Sequence, residues 1–145
     1  MNTKYKFEDF EINSDEPLGK GGFGDVYKAT EKKSKKIYAI KRIPIDNLED
    51  EEINNMLIMN KCENSIKYYG YFIKENLIYL IMELCYCSLA QIIKEKKLNA
   101  KEIKEILEQL NNAFKIMYEN AIIHRDIKPE NILAKKLENN KYLYK

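Results

Sequence analysis

Asp126 and Asn131 stand five residues apart in the string His124-Arg125-Asp126-Ile127-Lys128-Pro129-Glu130-Asn131, with Lys128 between them. A carboxylate at Asp126 can accept a proton from a hydroxyl and orient that hydroxyl for in-line attack. The ammonium of Lys128 can neutralise charge on a phosphoryl group in transfer. Asn131 offers an amide oxygen, the kind of ligand a hard cation such as Mg2+ takes. A charged surface loop is the plain alternative, but eight residues in this order form a specific pattern. His124 and Arg125 read as structural, one packing the loop and the other anchoring a neighbouring one. His124 is the only histidine, so it has no partners for a metal site.

A second group lies upstream. Gly19, Gly21 and Gly24 are spaced G-x-G-x-x-G, with Gly22 and Phe23 inside the spacing and Val26 after it. Without a Cβ, such a turn lets backbone N–H groups approach a phosphate closely. The spacing also suits a dinucleotide turn or a plain glycine-rich hairpin. A dinucleotide turn should open a helix and be followed by an acidic residue at the end of the next strand. Here Asp25-Val26-Tyr27-Lys28 reads as strand, and the later position holds Lys41. Lys41 sits in an apolar strand, where an unpaired ammonium is costly to desolvate. It is either exposed on the alternate face, like Arg42, or it meets the α- and β-phosphates of ATP with a carboxylate holding it. Glu52 is the best-placed partner, one helical turn before Met56; Glu49 and Glu51 are the alternatives.

These residues need strands first and helices later. Residues 5–12 alternate weakly and start a first strand. Leu18 to Ala29 reads as strand, glycine turn, strand, and Ile37 to Ile43 as another strand, closed by Pro44. Asp46 or Asn47 then caps a helix. Glu49, Asp50, Glu51 and Glu52 fill its first turns, and Ile53, Met56, Leu57 and Asn60 lie on one face. Residues 66–73 and 77–83 form a hairpin around Lys74-Glu75-Asn76. Helical character follows at Ser88–Lys97 and again at Asn99–Asn120. The second helix opens with a capping box of Asn99 and Glu102. Its stripe of Ile103, Ile106, Leu107, Leu110, Phe114 and Met117 reads as a core face. Ile132-Leu133-Ala134 and Tyr142-Leu143-Tyr144 pair around the polar turn 135–141. The change of character near Glu83-Leu84-Cys85-Tyr86-Cys87 implies an α+β, two-lobed layout with a linker at its waist.

Composition excludes several classes. The 145 residues are 45% hydrophobic and 33% charged, which suits a folded domain and not a disordered chain. A net charge of +2, with lysines interleaved among acids, supplies no basic stripe for nucleic acid. The run Lys32-Lys33…Lys35-Lys36 reads as a solvated turn. Cys62, Cys85 and Cys87 make neither a disulfide framework nor a zinc site. Reduced thiols and the absence of an apolar leader place the chain in the cytoplasm, or at least inside the cell. The apolar window Leu77–Ile93 is too short and too interrupted to span a membrane.

Taken together, the sequence resembles the eukaryotic-type protein kinases from about Leu18 to Asn131. Gly19-Lys20-Gly21-Gly22-Phe23-Gly24-Asp25-Val26 is similar to that family's glycine-rich loop. Ala39-Ile40-Lys41 is similar to its ATP-lysine strand, with Tyr38 where valine is common. The His124–Asn131 string is similar to its catalytic loop, with Ile127 for the usual leucine. The resemblance implies a protein-kinase-like fold: a β-rich N-lobe over residues 1–82, a hinge over 83–87 and an incomplete helical C-lobe over 88–145. It implies ATP and Mg2+ as cofactors, a protein Ser or Thr hydroxyl as acceptor, and Asp126, Lys128 and Asn131 as catalytic residues, with Asn131 on the metal. Leu18, Val26, Ala39 and Leu133 would contact the nucleotide, Met82 would be the gatekeeper, and Glu83 and Cys85 would belong to the adenine-binding hinge. Lys128-Pro129-Glu130-Asn131 is the Ser/Thr form of the loop. The family's Asp-Phe-Gly, activation segment and Ala-Pro-Glu are missing, and Tyr142-Leu143-Tyr144-Lys145 resembles the strand that leads into Asp-Phe-Gly. The expectation is therefore a Ser/Thr kinase domain cut short, inactive as this fragment, with its α-helical stripe at 99–120 short of packing partners. The alternative is a non-catalytic nucleotide-binding pseudokinase or scaffold module. Oligomeric state and protein substrate are left open.

Overall fold

The computed structural model describes residues 5–21, 24–138 and 141–145. They divide into two units. One runs to Met56 and takes in Lys67–Leu84; the other holds Leu57–Ile66 and Cys85–Lys145.

Five antiparallel strands build the first unit: β1 (Phe10–Gly19), β2 (Asp25–Glu31), β3 (Ile37–Pro44), β4 (Tyr68–Lys74) and β5 (Leu77–Met82), in the order β1-β2-β3-β5-β4. Strand alternation divides the side chains between two faces. One face carries Phe10, Ala29, Tyr38, Ile40, Phe72, Tyr79 and Ile81, with aromatic rings in contact: Phe10 stacks on Phe72 at 5.6 Å and Phe72 on Tyr79 at 4.8 Å. The other carries Ile43, Ile78 and Leu80, against which Leu48, Ile53 and Met56 pack. The last two belong to α1 (Asp50–Met59). Ile40, Phe72, Ile78, Leu80 and Ile81 are fully buried. Each such side chain contributes about 1.5–3 kcal/mol by leaving water.

The expected strand over 5–12 is a correction. Phe7–Asp9 form a 3-10 turn, closed by the Asp9 N–H on the Lys6 carbonyl, and β1 begins at Phe10 and continues to Gly19. The turn sets the Phe7 ring edge-on to Phe72 and Tyr79, a burial that an extended segment would forgo. The helix cap at Asp46 or Asn47 is also corrected. Ile45–Asn47 form a 3-10 turn of their own, Leu48 stays extended to reach the core, and α1 starts only at Asp50. Leu57, expected on the buried face of α1, is 52% exposed.

In the second unit, α2 (Leu89–Glu95) and α3 (Ala100–Glu119) pack with a three-stranded antiparallel sheet of β6 (Cys87–Ser88), β7 (Leu133–Lys136) and β8 (Tyr142–Tyr144). The two segments around 132–134 and 142–144 do pair, but β7 starts at Leu133 and runs on through Lys135 and Lys136, which the sequence assigns to the turn, because these two pair with Leu143 and Tyr142; β6, only two residues long, carried no sequence signal. Both helices open on capping boxes. Ser88 Oγ accepts from Gln91 N, and Asn99 Oδ1 accepts from Glu102 N at 3.0 Å while Glu102 Oε2 accepts from Asn99 N at 2.9 Å. The stripe on α3 is buried in part. Ile106 and Leu110 enter the core with Ala113, whereas Ile103, Leu107 and Phe114 lie 45%, 60% and 38% exposed.

One segment of this unit was illegible in the sequence. Asn64, almost fully buried, donates to the Tyr144 carbonyl at 2.9 Å and to Gln109 Oε1 at 3.3 Å, and accepts from Asn112 at 3.0 Å. Lys145 donates to the carbonyls of Glu63 and Ser65. These bonds satisfy polar groups that would each be costly to bury alone, and they fasten residues 57–66 to α3 and β8. No helix among the described residues is long and apolar enough to cross a membrane.

Candidate functional site

In the first unit, register alone gathers the expected nucleotide residues. Val26 pairs with Lys41 across β2 and β3, and Ala39 pairs with Met82 across β3 and β5. Directly paired residues share a face, and Ala39 and Lys41 are two apart, so Val26, Ala39, Lys41 and Met82 all lie on the face that α1 covers further along. Lys41 Nζ meets Glu52 Oε1 at 3.1 Å. The helix phase explains the pair: Ile53 and Met56 face the sheet, and Glu52, four residues before Met56, comes off the adjoining flank. Lys41 and Glu52 keep 18% and 30% of their side-chain surface, so the pair is only partly withdrawn from solvent.

The glycines differ from one another. Gly24 adopts φ +106°, and a Cβ there would stand 2.4 Å from the Arg42 carbonyl oxygen. Glycine is required at this position by the backbone itself. Around Gly19 and Gly21 a Cβ would meet nothing within 4 Å, so these two border open space. The turn is closed by the Gly24 N–H on the Gly21 carbonyl at 3.1 Å. Gly22 and Phe23 lie outside the described residues. Leu18 is exposed at the end of β1. Glu83 is buried: its N–H donates to the Lys67 carbonyl at 2.8 Å, and its carboxylate accepts from the Lys67 N–H at 3.4 Å. Cys85, the remaining hinge candidate, is half-buried.

In the second unit, Asp126, Lys128 and Asn131 converge. Asp126 Oδ2 receives Lys128 Nζ at 2.9 Å and Asn131 Nδ2 at 2.7 Å, and the same amide donates to the Asp126 carbonyl at 2.9 Å. The Lys128 ammonium, then the Asn131 amide, hold the Asp126 carboxyl below its usual range. His124 Nδ1 accepts from the Asp126 N–H at 3.3 Å, and Arg125 takes φ 66°, which turns the chain sharply just before Asp126. The loop is fastened from behind. The first two N–H groups of α2, which have no partner inside the helix, go to loop carbonyls: Leu89 to Ile132 at 2.7 Å and Ala90 to Pro129 at 3.0 Å. Leu133 continues into β7 and exchanges backbone bonds with Lys145.

The donor chemistry near Asn131 suits Mg2+ in kind. Its amide nitrogen is spent on Asp126, so its oxygen is the acceptor end. Among the described residues no three His, Cys, Asp or Glu side chains gather as a metal cluster. Sequence reasoning missed the partners of Arg42. Its guanidinium donates to Asp25 Oδ2 at 3.2 Å and to the Tyr27 hydroxyl at 2.6 Å, contacts that only strand register could reveal.

The protein kinase domain model matches residues 12–143. The chain belongs to the protein kinase family. It is 36% identical over 126 residues to "Serine/threonine-protein kinase 4 homolog B" of Dictyostelium discoideum, an alignment covering 82% of this chain and 11% of that protein. It is also 36% identical over 121 residues to "Serine/threonine-protein kinase cst-1" of Caenorhabditis briggsae, covering 80% of this chain and 24% of that protein. The chain thus spans under a quarter of the length of these relatives. The Ser/Thr form of the loop agrees with both relatives, and the β-rich first unit and helical second unit agree with the kinase-like α+β fold expected from sequence.

Proposed function

We propose that the chain carries the ATP-binding and catalytic-loop portion of a Ser/Thr protein kinase, which transfers the γ-phosphoryl group of MgATP to Ser or Thr hydroxyls of proteins inside the cell. One observation carries the reading: Asp126 is held ionised and oriented by Lys128 and Asn131 on a loop pinned to α2. Both donors take Oδ2, so Oδ1 is the oxygen that would receive the acceptor hydroxyl. A carboxylate held below its usual pKa is a weak base, so its main work would be to align the hydroxyl and take its proton late. Lys128 would pass part of its charge to the γ-phosphoryl oxygens. Asn131 would hold Mg2+, which when bound neutralises phosphate charge. Lys41, steadied by Glu52, would bind the α- and β-phosphates under the turn of Gly19, Gly21, Gly22, Phe23 and Gly24. Leu18, Val26, Ala39 and Leu133 would flank the base, and Met82, Glu83 and Cys85 would line and bond its edge, with 83–87 as hinge.

A second reading is a nucleotide-binding module without transfer. The two separate in one experiment on the natural gene product, reading fluorescent-ATP binding beside transfer of labelled γ-phosphate to mixed Ser and Thr peptides. Transfer should fall by about 10²–10⁴-fold in Asp126→Asn with binding intact, and both should fall in Lys41→Met. Binding without any transfer by the unmutated protein selects the second reading. Substantial transfer by Asp126→Asn rejects the assignment of the base.

A further inference from the structure

We propose that Arg42 is a positioning residue for the glycine turn: through Asp25 and Tyr27 it latches the strand that leaves the turn, and so sets where the turn meets nucleotide phosphates. The inference rests on the nucleotide-binding reading above.

Strand alternation turns Arg42 to the face opposite Lys41. Arg42 therefore cannot itself meet a phosphate bound at Lys41, and any effect it has on the nucleotide passes through the chain. Its contacts are concentrated at the turn. Asp25, the residue directly after Gly24, is its cross-strand partner. Arg42 Nη2 lies 3.2 Å from Asp25 Oδ2 and 2.6 Å from the Tyr27 hydroxyl, which in turn donates to the same Asp25 oxygen at 3.2 Å. The guanidinium also stands 4.8 Å from the centroid of the Tyr27 ring, and Tyr27 is buried. The backbone adds a second hold, because Gly24 is seated against the Arg42 carbonyl so closely that no Cβ would fit.

As a lone ion pair Arg42–Asp25 would count for little, since the two side chains keep 36% and 31% of their surface. Three groups sharing one oxygen and one ring are a different case, because each contact orients the others. The consequence for binding is preorganisation. A turn with glycines at four of its six positions has wide backbone freedom, and ordering it at the moment of binding subtracts from affinity. A latch at the exit of the turn removes part of that cost. It does so for phosphates, which meet the turn, and not for adenosine alone.

The test is calorimetric. ATP and adenosine are titrated into the unmutated chain, Arg42→Gln, Asp25→Asn and the double variant, with a thermal melt of each. Arg42→Gln should weaken ATP about threefold to tenfold and leave adenosine within about twofold, and the double variant should be no weaker than either single one. Asp25→Asn, nearly isosteric, keeps the test alive if Arg42→Gln fails to fold. Equal losses for ATP and adenosine would mean damage to the sheet and overturn the latch. So would unchanged ATP binding, or strictly additive losses. An unmutated chain that binds neither ligand overturns the nucleotide reading and the latch with it.

Discussion

Asp126 receives two donors on one carboxylate oxygen, and the physical effect is to fix both its charge and its direction. Because its folded pKa is depressed, the stabilisation from these contacts is present above the pKa of the unfolded chain and is lost as pH falls through the lowered folded value. The carboxylate therefore stays ionised throughout the neutral and mildly acid range. NMR titration of the Asp126 side chain should give a midpoint below the ordinary aspartate value, and Lys128→Met should raise it, since Lys128 is the larger cause. A midpoint indifferent to Lys128→Met would detach the lysine from the base. Lys41 and Glu52 show the same economy: neither is fully buried, so their pairing orients the ammonium more than it stabilises the fold.

Elements decide what each glycine is for. The turn between β1 and β2 needs Gly24 because its φ is positive and its Cα abuts β3. Gly24→Ala should destabilise the first unit by about 1–3 kcal/mol from backbone strain, with the clash on Arg42 O adding to it. Gly21→Ala, beside open space, should change stability by no more than about 1 kcal/mol. Urea unfolding followed on the sheet's tyrosines distinguishes them, and similar midpoints for the two variants would contradict this account. The helices follow a parallel logic. α3 begins where Asn99 and Glu102 close a capping box, a local event, whereas α1 begins late because Leu48 is pulled to the core.

For the molecule as a whole, the important surface is the partly uncovered stripe of α3. Ile103 and Leu107 border a groove of about 640 Å3 with Leu89, Ile93, Leu98 and Ile132, and Phe114 and Tyr118 continue the exposed apolar surface. Apolar area of this kind favours association. The 145-residue chain should sediment as concentration-dependent oligomers, and Leu107→Lys should shift it towards monomer. A monodisperse monomer at high concentration would show that the stripe is benign.

Local chemistry was legible in the sequence. The capping box of Asn99 and Glu102, the hairpin over 68–82, the strand of Lys41 and the loop from His124 to Asn131 depend on neighbours a few residues away, so residue type and spacing suffice to place them. Even Glu52 could be chosen from helical phase, because Met56 marks the buried side. Contacts between distant segments were decided elsewhere. Phe7 turns aside from the strand because rings from β4 and β5 await it. Asn64 is buried because Gln109, Asn112 and the Tyr144 carbonyl meet it from α3 and β8. Arg42 acquires a role because register sets it opposite Asp25. Such partnerships join residues 15 to 80 positions apart, and no local pattern encodes them; they exist only once the sheet and helices have packed.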